Sequence, residues 1–374
     1  MNRVLLVSNS DWYLHNYRRK LLQSLIAEGH EVLALTPPGP YVDDLEAVGV
    51  GWHPLPFDRK GMNPFMESNT LLKCFRAYKA LRPDLVHHFT MKPVLYGSLA
   101  SRGSNIPAVV NSVTGLGYLF GGTAFKVRAA RRAVRPLFRY GLANPRQVTV
   151  FQHGADRQNF LDMRLVSEAN TRIIPGSGVD PERFHSRGEP DGEPEILMVS
   201  RLLWSKGIGD FVELSRHFRT KGVKVRMRLV GDLDLGNPDA ISAEQAEDWQ
   251  RKGLIEWSGH REDVEQDIGR CSIVVLPTRY REGIPRVLLE AAASEKPVVA
   301  TDIPGCRDVI YNGRNGYLFT PGDQLGFQEA VQTLLDDAEL RRSMGAEGRK
   351  LVLERFAEER ITEQTLSLYG ELLA

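Results

Sequence analysis

Cysteine is scarce in this chain: Cys74, Cys271 and Cys306 are the only three in 374 residues, and they share no metal-binding spacing. That excludes a disulfide framework or a cysteine-held zinc and suits a reduced, cytoplasmic setting. Long apolar runs are missing too, since no segment approaches the roughly 18 residues that span a bilayer. The opening Met1-Asn2-Arg3-Val4-Leu5-Leu6-Val7 is too short for a signal peptide, has no small-residue cleavage site, and reads as a first strand. No Gly-x-Gly-x-x-Gly follows it. The nearest candidate, Gly115-Leu-Gly117, has Phe120 where the third glycine belongs, which argues against a dinucleotide.

Net charge is also small, +1, but it is unevenly spread: residues 1–180 hold 22 Lys and Arg against 13 Asp and Glu, and the remainder 26 against 34. A basic first half implies an anionic partner, unless two packed domains simply carry complementary charge. Nothing in the pattern calls for nucleic acid.

What is present is an alternation of short apolar runs and helical segments, over a length comfortable for two domains. Arg3 to Ser8, His30 to Leu35, Asp84 to His88, Ala108 to Val113 and Val148 to Phe151 read as strands of a parallel α/β sheet. Asn9 to Tyr17 reads as a polar, aromatic loop at the carboxyl edge of that sheet, with a helix beyond it ending at Gly29. Phe125 to Tyr140 reads as a helix in which Lys126, Arg128, Arg131, Arg132, Arg135 and Arg139 interleave with apolar residues and no acid. It fits a face for anionic phospholipid of the inner leaflet or a lipid diphosphate, or an ordinary solvated helix face. Arg187 to Pro194 has linker composition, and Glu195 to Ser200 opens a second set of strands.

The stretch Glu282-Gly-Ile-Pro-Arg-Val-Leu-Leu-Glu290 follows a buried-strand run ending at Pro277 and leads into Ala291-Ala-Ala293. Strand, tight loop and helix place a helix N-terminus, an anion site, at a strand's carboxyl end. A carboxylate at each end of that site suits a sugar nucleotide, one for a hexose and one for a ribose. The alternative is an ordinary βα turn with a solvated Glu290. Arg201 and Lys206 bracket a turn after the Glu195 strand, within reach of two phosphates of one diphosphate, although such a pair is also common on plain surface loops.

The run from Pro277 through Glu282 and Glu290 to Asp302 resembles the Glu-x7-Glu signature of the retaining glycosyltransferases of family 4, and the resemblance extends over nearly the whole chain. It implies an α/β GT-B fold: two Rossmann-like parallel-sheet domains with an interdomain cleft. The first, residues 1–180, would bind acceptor and the second, 181–355, nucleotide sugar, with a helix over 356–374 crossing back to the first. It implies transfer from a UDP-sugar donor without metal or other cofactor. The Asp232-Leu-Asp234 that imitates a metal-binding Asp-x-Asp is a poor site by itself.

By the same resemblance, Arg201 and Lys206 hold the donor diphosphate and Glu282, with backbone near Gly283, Ile284 and Pro285, positions the hexose. Glu290 takes the ribose, and Arg286, Val287 and Leu288 complete the donor site, with backbone near His260 and Arg261 reading uracil. Retention is expected by front-side attack, without an enzyme nucleophile. Asp11, His15, Asn16, Arg18, His87 and His88, near the carboxyl ends of first-domain strands, are candidates for acceptor binding.

Tyr13 to Arg18, Thr114 to Phe120 and Arg201 to Gly207 are similar to the bacterial members that extend undecaprenyl-diphosphate-linked glycans. A polyprenyl-diphosphate-linked saccharide is thus the expected acceptor, and the cytoplasmic face of the inner membrane the expected location. Arg286, bulky and cationic just inside the helix, departs from the family pattern. A soluble acceptor, a UDP-sugar epimerase of the same fold and a non-catalytic binding protein are the alternatives.

Overall fold

A computed structural model describes residues 1–57, 64–115, 125–279 and 281–374. Gly117, Phe120 and Tyr280, and the side chain of Lys126, lie outside the described residues. Two compact units divide the chain. The first takes in Met1–Gly178, Glu282–Ile284 and Glu358–Ala374, and the second Val179–Arg281 and Pro285–Ala357.

The first unit is built on seven parallel strands, β1 Arg3–Val7, β2 Glu31–Thr36, β3 Gly51–Pro54, β4 Leu85–Phe89, β5 Ala108–Val113, β6 Gln147–Phe151 and β7 Thr171–Ile173, in the order 3-2-1-4-5-6-7. Side chains alternate across the sheet. Val4 and Leu6 pack into one core with Leu14, Leu21, Leu22 and Leu25 of the helix Asp11–Ala27, while Leu5 and Val7 face another with Cys74 and Tyr78. Being buried on both faces, β1 reads as a continuous apolar run, and each such Leu or Val contributes about 1.5–3 kcal/mol by leaving water.

Strand order reverses between β1 and β4, which register Val4 against Leu85 and Val7 against His88. Their carboxyl ends form a topological switch point, the place where open α/β sheets take ligands. The helix Glu358–Leu373 belongs to this unit, with Ile361, Leu368 and Tyr369 in its core. Gly178, at a φ of +75°, lets the chain pass Glu358 closely: a Cβ there would lie 2.6 Å from the Glu358 Cα.

The second unit holds six parallel strands, β8 Glu195–Val199, β9 Arg226–Val230, β10 Glu256–Trp257, β11 Ile273–Leu276, β12 Val298–Thr301 and β13 Gly316–Phe319, in the order 10-9-8-11-12-13. Its switch point falls between β8 and β11. Ile196, Met198, Ile273, Val275 and Val299 face Phe211, Phe218, Phe327 and Val331 across one core.

Two sequence expectations change. Asp11 to Tyr17 is helical rather than a loop, because Leu14, Arg18, Leu21 and Leu25 bury one stripe against the sheet and that packing outweighs a weak local helix preference. The stretch Arg187 to Pro194 lies on the second unit instead of hanging between domains: Glu189 takes both Nε and Nη2 of Arg341, and Lys296 donates to the Gly188 carbonyl oxygen at 3.2 Å.

Candidate donor and acceptor sites

In the second unit, loops after β8, β9, β10 and β11 are stitched together by backbone. Leu202 N–H donates to Asp232 O at 3.0 Å, Gly231 N–H to Gly259 O at 2.8 Å, and Arg279 N–H to Ser205 O at 2.7 Å. Two glycines permit this. A Cβ on Gly231 would stand 1.8 Å from Ser200 O, and one on Gly207, at a φ of +81°, 2.0 Å from Pro277 O. Lys206 is therefore carried on a turn pressed against the end of β11.

Three arginines around this edge each hold a carboxylate. Arg201 reaches Asp234 at 2.7 Å, Arg279 grips Asp210 through Nη2 and Nε at 2.7 and 3.2 Å, and Arg286 Nε meets Glu290 at 2.8 Å. The last pair runs against helix electrostatics. Acids suit a first helical turn, and the favourable i,i+4 order puts the acid first. Here a half-buried arginine opens the helix Arg286–Ala293 and the acid follows, which concentrates positive charge where the N-cap Pro285 supplies no side-chain cap. Cationic side chains and helix-start amides thus occur together at this edge.

At Arg261 the expected contact with a base is through backbone, and the side chain is engaged elsewhere. Its guanidinium is turned to Asp263 at 2.9 Å and to the buried Asp267 at 2.8 Å. Asp234, bound to Arg201 and to Asn237 Nδ2, serves as a counter-ion, and the described residues contain no group of three or more acids, cysteines or histidines placed to hold a metal.

Glu282, Gly283 and Ile284 pack with the first unit. His153, whose Nδ1 accepts from Asp156 N–H, donates through Nε2 to the Glu282 carbonyl oxygen at 3.3 Å, and Gln152 Oε1 accepts from Ile284 N–H at 2.7 Å. A Cβ on Gly283 would lie 2.0 Å from Gln152 Oε1 and 2.8 Å from Thr114 O, so only glycine fits. Ile284 N–H is thus spent on Gln152 and Pro285 has none, which leaves Gly283 as the donor after Glu282. Gln152 and His153 are positioning residues that sequence reading missed, since no local motif joins them to a loop 129 to 132 residues away.

The six first-unit candidates separate into groups. Asp11, 6% exposed, accepts from Tyr41 N–H at 2.8 Å and underlies Gly39, so it shapes the turn after β2. His15 stacks on Tyr41 with ring centres 4.7 Å apart, near Asp44, and Asn16 Nδ2 donates to Trp12 O. His88 is wholly buried: Tyr78 OH meets Nε2 at 2.8 Å, Asn111 Oδ1 meets Nδ1 at 2.7 Å, and Gly97 lies against the ring. With both nitrogens engaged it is a core histidine, its pKa lowered to about 4 by burial. His87, also buried and held neutral well below the ordinary histidine range by burial and by Arg18, bonds Tyr369 OH at 2.5 Å and Ser112 Oγ at 2.7 Å. Its nitrogens too are engaged, and it lines a small cavity together with Ser112 and Arg18.

In the basic helix, which extends over Phe125–Leu142, Arg128, Arg132 and Arg135 are exposed and Arg131 is half-buried.

Comparison with known proteins places two family models on the chain, "Glycosyl transferase 4-like" over residues 3–152 and "Glycosyl transferases group 1" over 179–351. The chain is 26% identical to the N,N'-diacetylbacillosaminyl-diphospho-undecaprenol alpha-1,3-N-acetylgalactosaminyltransferase of Campylobacter jejuni, with 99% of each covered. It is 23% identical to the N-acetyl-alpha-D-glucosaminyl L-malate synthase of Bacillus anthracis, over 95% of this chain and 92% of that one. Its fold is similar to that of Anabaena HepE, solved in complex with UDP, with a TM-score of 0.77 at 18% identity over 99% of this chain and 100% of that one.

Proposed function

The chain belongs to the glycosyltransferases whose group 1 and 4-like models cover its two halves, and from that premise we propose that it moves a hexose or N-acetylhexosamine from a UDP-sugar to a polyprenyl-diphosphate-linked saccharide, with retention, in surface-glycan assembly. Its two Rossmann-like parallel-sheet units are those of a GT-B enzyme. The observation that carries the donor assignment is that the segments after β8 and β11 hold three arginines, each paired with a carboxylate, and a helix start without a side-chain cap. The name of the Campylobacter relative supports the lipid-linked acceptor.

In this reading Arg201, Lys206 and the amides of Arg286 and Val287 stabilise the diphosphate as it leaves, without a metal. Glu282 and the Gly283 amide hold the hexose. Glu290, kept in place by Arg286, takes the ribose. The acceptor hydroxyl attacks from the face the diphosphate leaves, so no side chain is assigned as nucleophile. NMR of the product from an α-linked UDP-sugar is expected to show the small H1–H2 coupling of an α-glycoside, formed equally well with chelator present. A β-glycoside would overturn retention, and loss of activity on chelation would overturn metal independence. The malate-synthase relative favours a second reading, transfer to a small soluble acceptor.

We further propose a peripheral location on the inner face of the cytoplasmic membrane. No helix among the described residues is long and apolar enough to cross a bilayer. The cationic helix exposes Leu137 and Tyr140, and the helix Pro64–Leu81 exposes Phe65, Met66 and Leu72, a mixture that suits anionic phospholipid. At about 1 kcal/mol per surface cation, replacing Arg128, Arg131, Arg132 and Arg135 together by Gln is expected to weaken flotation with anionic liposomes at least tenfold. Unchanged flotation would sink the membrane assignment.

A further inference from the structure

Arg18 is out of keeping with its surroundings. It lies 6% exposed on the helix Asp11–Ala27, its guanidinium carbon 4.8 Å from the Phe89 ring centre and 5.7 Å from that of Tyr13. It donates to the Tyr13 hydroxyl at 3.1 Å, while its Nε is buried without a partner. Among the described residues no carboxylate stands within ion-pair range of it. Taking such a charge out of water costs several kcal/mol unless a counter-charge arrives.

The cavity that Arg18 lines is suited to supply one. Its other polar walls are Ser112, Gln152, Thr365 and His87, and none carries negative charge. His87 is held neutral, so it adds no second cation and instead fixes Ser112 from below. Where Tyr369 gives its proton to Nδ1, His87 Nε2–H donates to Ser112 Oγ, and the Ser112 hydroxyl hydrogen is left for the cavity. The floor has room for one water-sized group. Gln152, on its rim, is the residue that seats the loop carrying Glu282. A cationic, acid-free pocket with room for a single oxygen therefore lies beside that loop, at the carboxyl edge of β5 and β6.

We propose that Arg18, with Ser112 and Gln152, receives a phosphoryl oxygen of the acceptor, so that this pocket is the acceptor's phosphate or diphosphate subsite. The fork of the guanidinium, stacked on Phe89, is preorganised for such an oxyanion. The assignment to an acceptor rests on the transferase reading; the affinity for a phosphoryl group does not.

The test is calorimetric binding of farnesyl diphosphate and inorganic pyrophosphate to protein whose donor site is saturated with UDP. The wild type is expected to bind farnesyl diphosphate, with pyrophosphate competing. Arg18→Met should bind it at least tenfold more weakly and Arg18→Lys to an intermediate degree, all three keeping UDP affinity within twofold. Equal binding by Arg18→Met would overturn the proposal and leave Arg18 as the holder of a buried water. Failure of pyrophosphate to compete would overturn it too, because the prenyl chain would then be what is held. Equal affinity for short-chain phosphatidylglycerol would assign the pocket to a phospholipid headgroup and overturn the acceptor assignment. Should Arg18→Met not fold, Arg18→Lys decides, with a threefold to tenfold loss expected and no loss contradicting. Absence of UDP binding in the wild type would instead strike the reading beneath.

Discussion

Glu282→Ala is expected to lower sugar transfer by about 10²- to 10³-fold or more while the affinity for UDP stays within roughly twofold. The loop that carries this carboxylate has anchors in its main chain. Its main chain is tied to His153 and Gln152, and Gly283 is packed too closely against Gln152 and Thr114 to admit a side chain. Removing the carboxylate is therefore expected to withdraw the charge proposed to act on the sugar while these main-chain ties stay in place. Since the oxocarbenium-like state is more positive than the bound sugar, the loss falls on kcat more than on UDP binding. Glu282→Gln, equal in shape, separates charge from position: it should retain donor binding and lose transfer almost as fully as the alanine variant. Transfer within about tenfold of wild type in the alanine variant would remove Glu282 from the sugar site.

A comparably large effect is expected at the opposite charge. Arg201→Ala and Lys206→Ala should each cost about 10²- to 10³-fold in kcat/KM for the donor. The structure adds a sign that sequence alone does not supply. Arg201 is paired at 2.7 Å with Asp234, only 16% exposed, so Arg201→Ala both withdraws a cation and breaks the ion pair of a largely buried carboxylate. Asp234→Asn, by contrast, releases Arg201 from its carboxylate partner, and on the proposed donor role of Arg201 UDP affinity is expected to hold or rise. The double variant Arg201→Ala with Asp234→Asn should recover part of the loss. Calorimetric UDP binding across the four proteins reads this coupling. If Asp234→Asn weakens UDP as strongly as Arg201→Ala, Asp234 positions Arg201 rather than competing for it.

These pairings mark where the sequence was legible and where it was not. Strands such as β1 and β11 could be read because both faces are buried and the apolar runs are unbroken. The α/β alternation, the Glu282–Glu290 stretch and the Arg201–Lys206 turn were visible for the same reason: each is a local pattern. The start of the first helix was not, because Trp12, Tyr13, His15, Asn16 and Tyr17 are modest helix formers and only burial of Leu14, Arg18 and Leu21 decides the matter.

Chain order also misled. Glu282 to Ile284 lies in sequence among second-unit elements yet packs with the first, through Gln152 and His153. The side chain of Arg261 is taken up by Asp267, which the helix Val264–Arg270 brings back to it. His87 and His88, adjacent in sequence, point to opposite sides of β4, toward Tyr369 and Tyr78 respectively. Pairings across such distances have no signature in composition or periodicity.

The most direct test of the central claim is UDP release from a panel of UDP-sugars, with and without a bacterial extract of undecaprenyl-diphosphate-linked saccharides. The account predicts release that requires both one particular UDP-hexose or UDP-N-acetylhexosamine and the lipid extract. Release with no need of the extract, or conversion of one UDP-sugar into another without release, would contradict it.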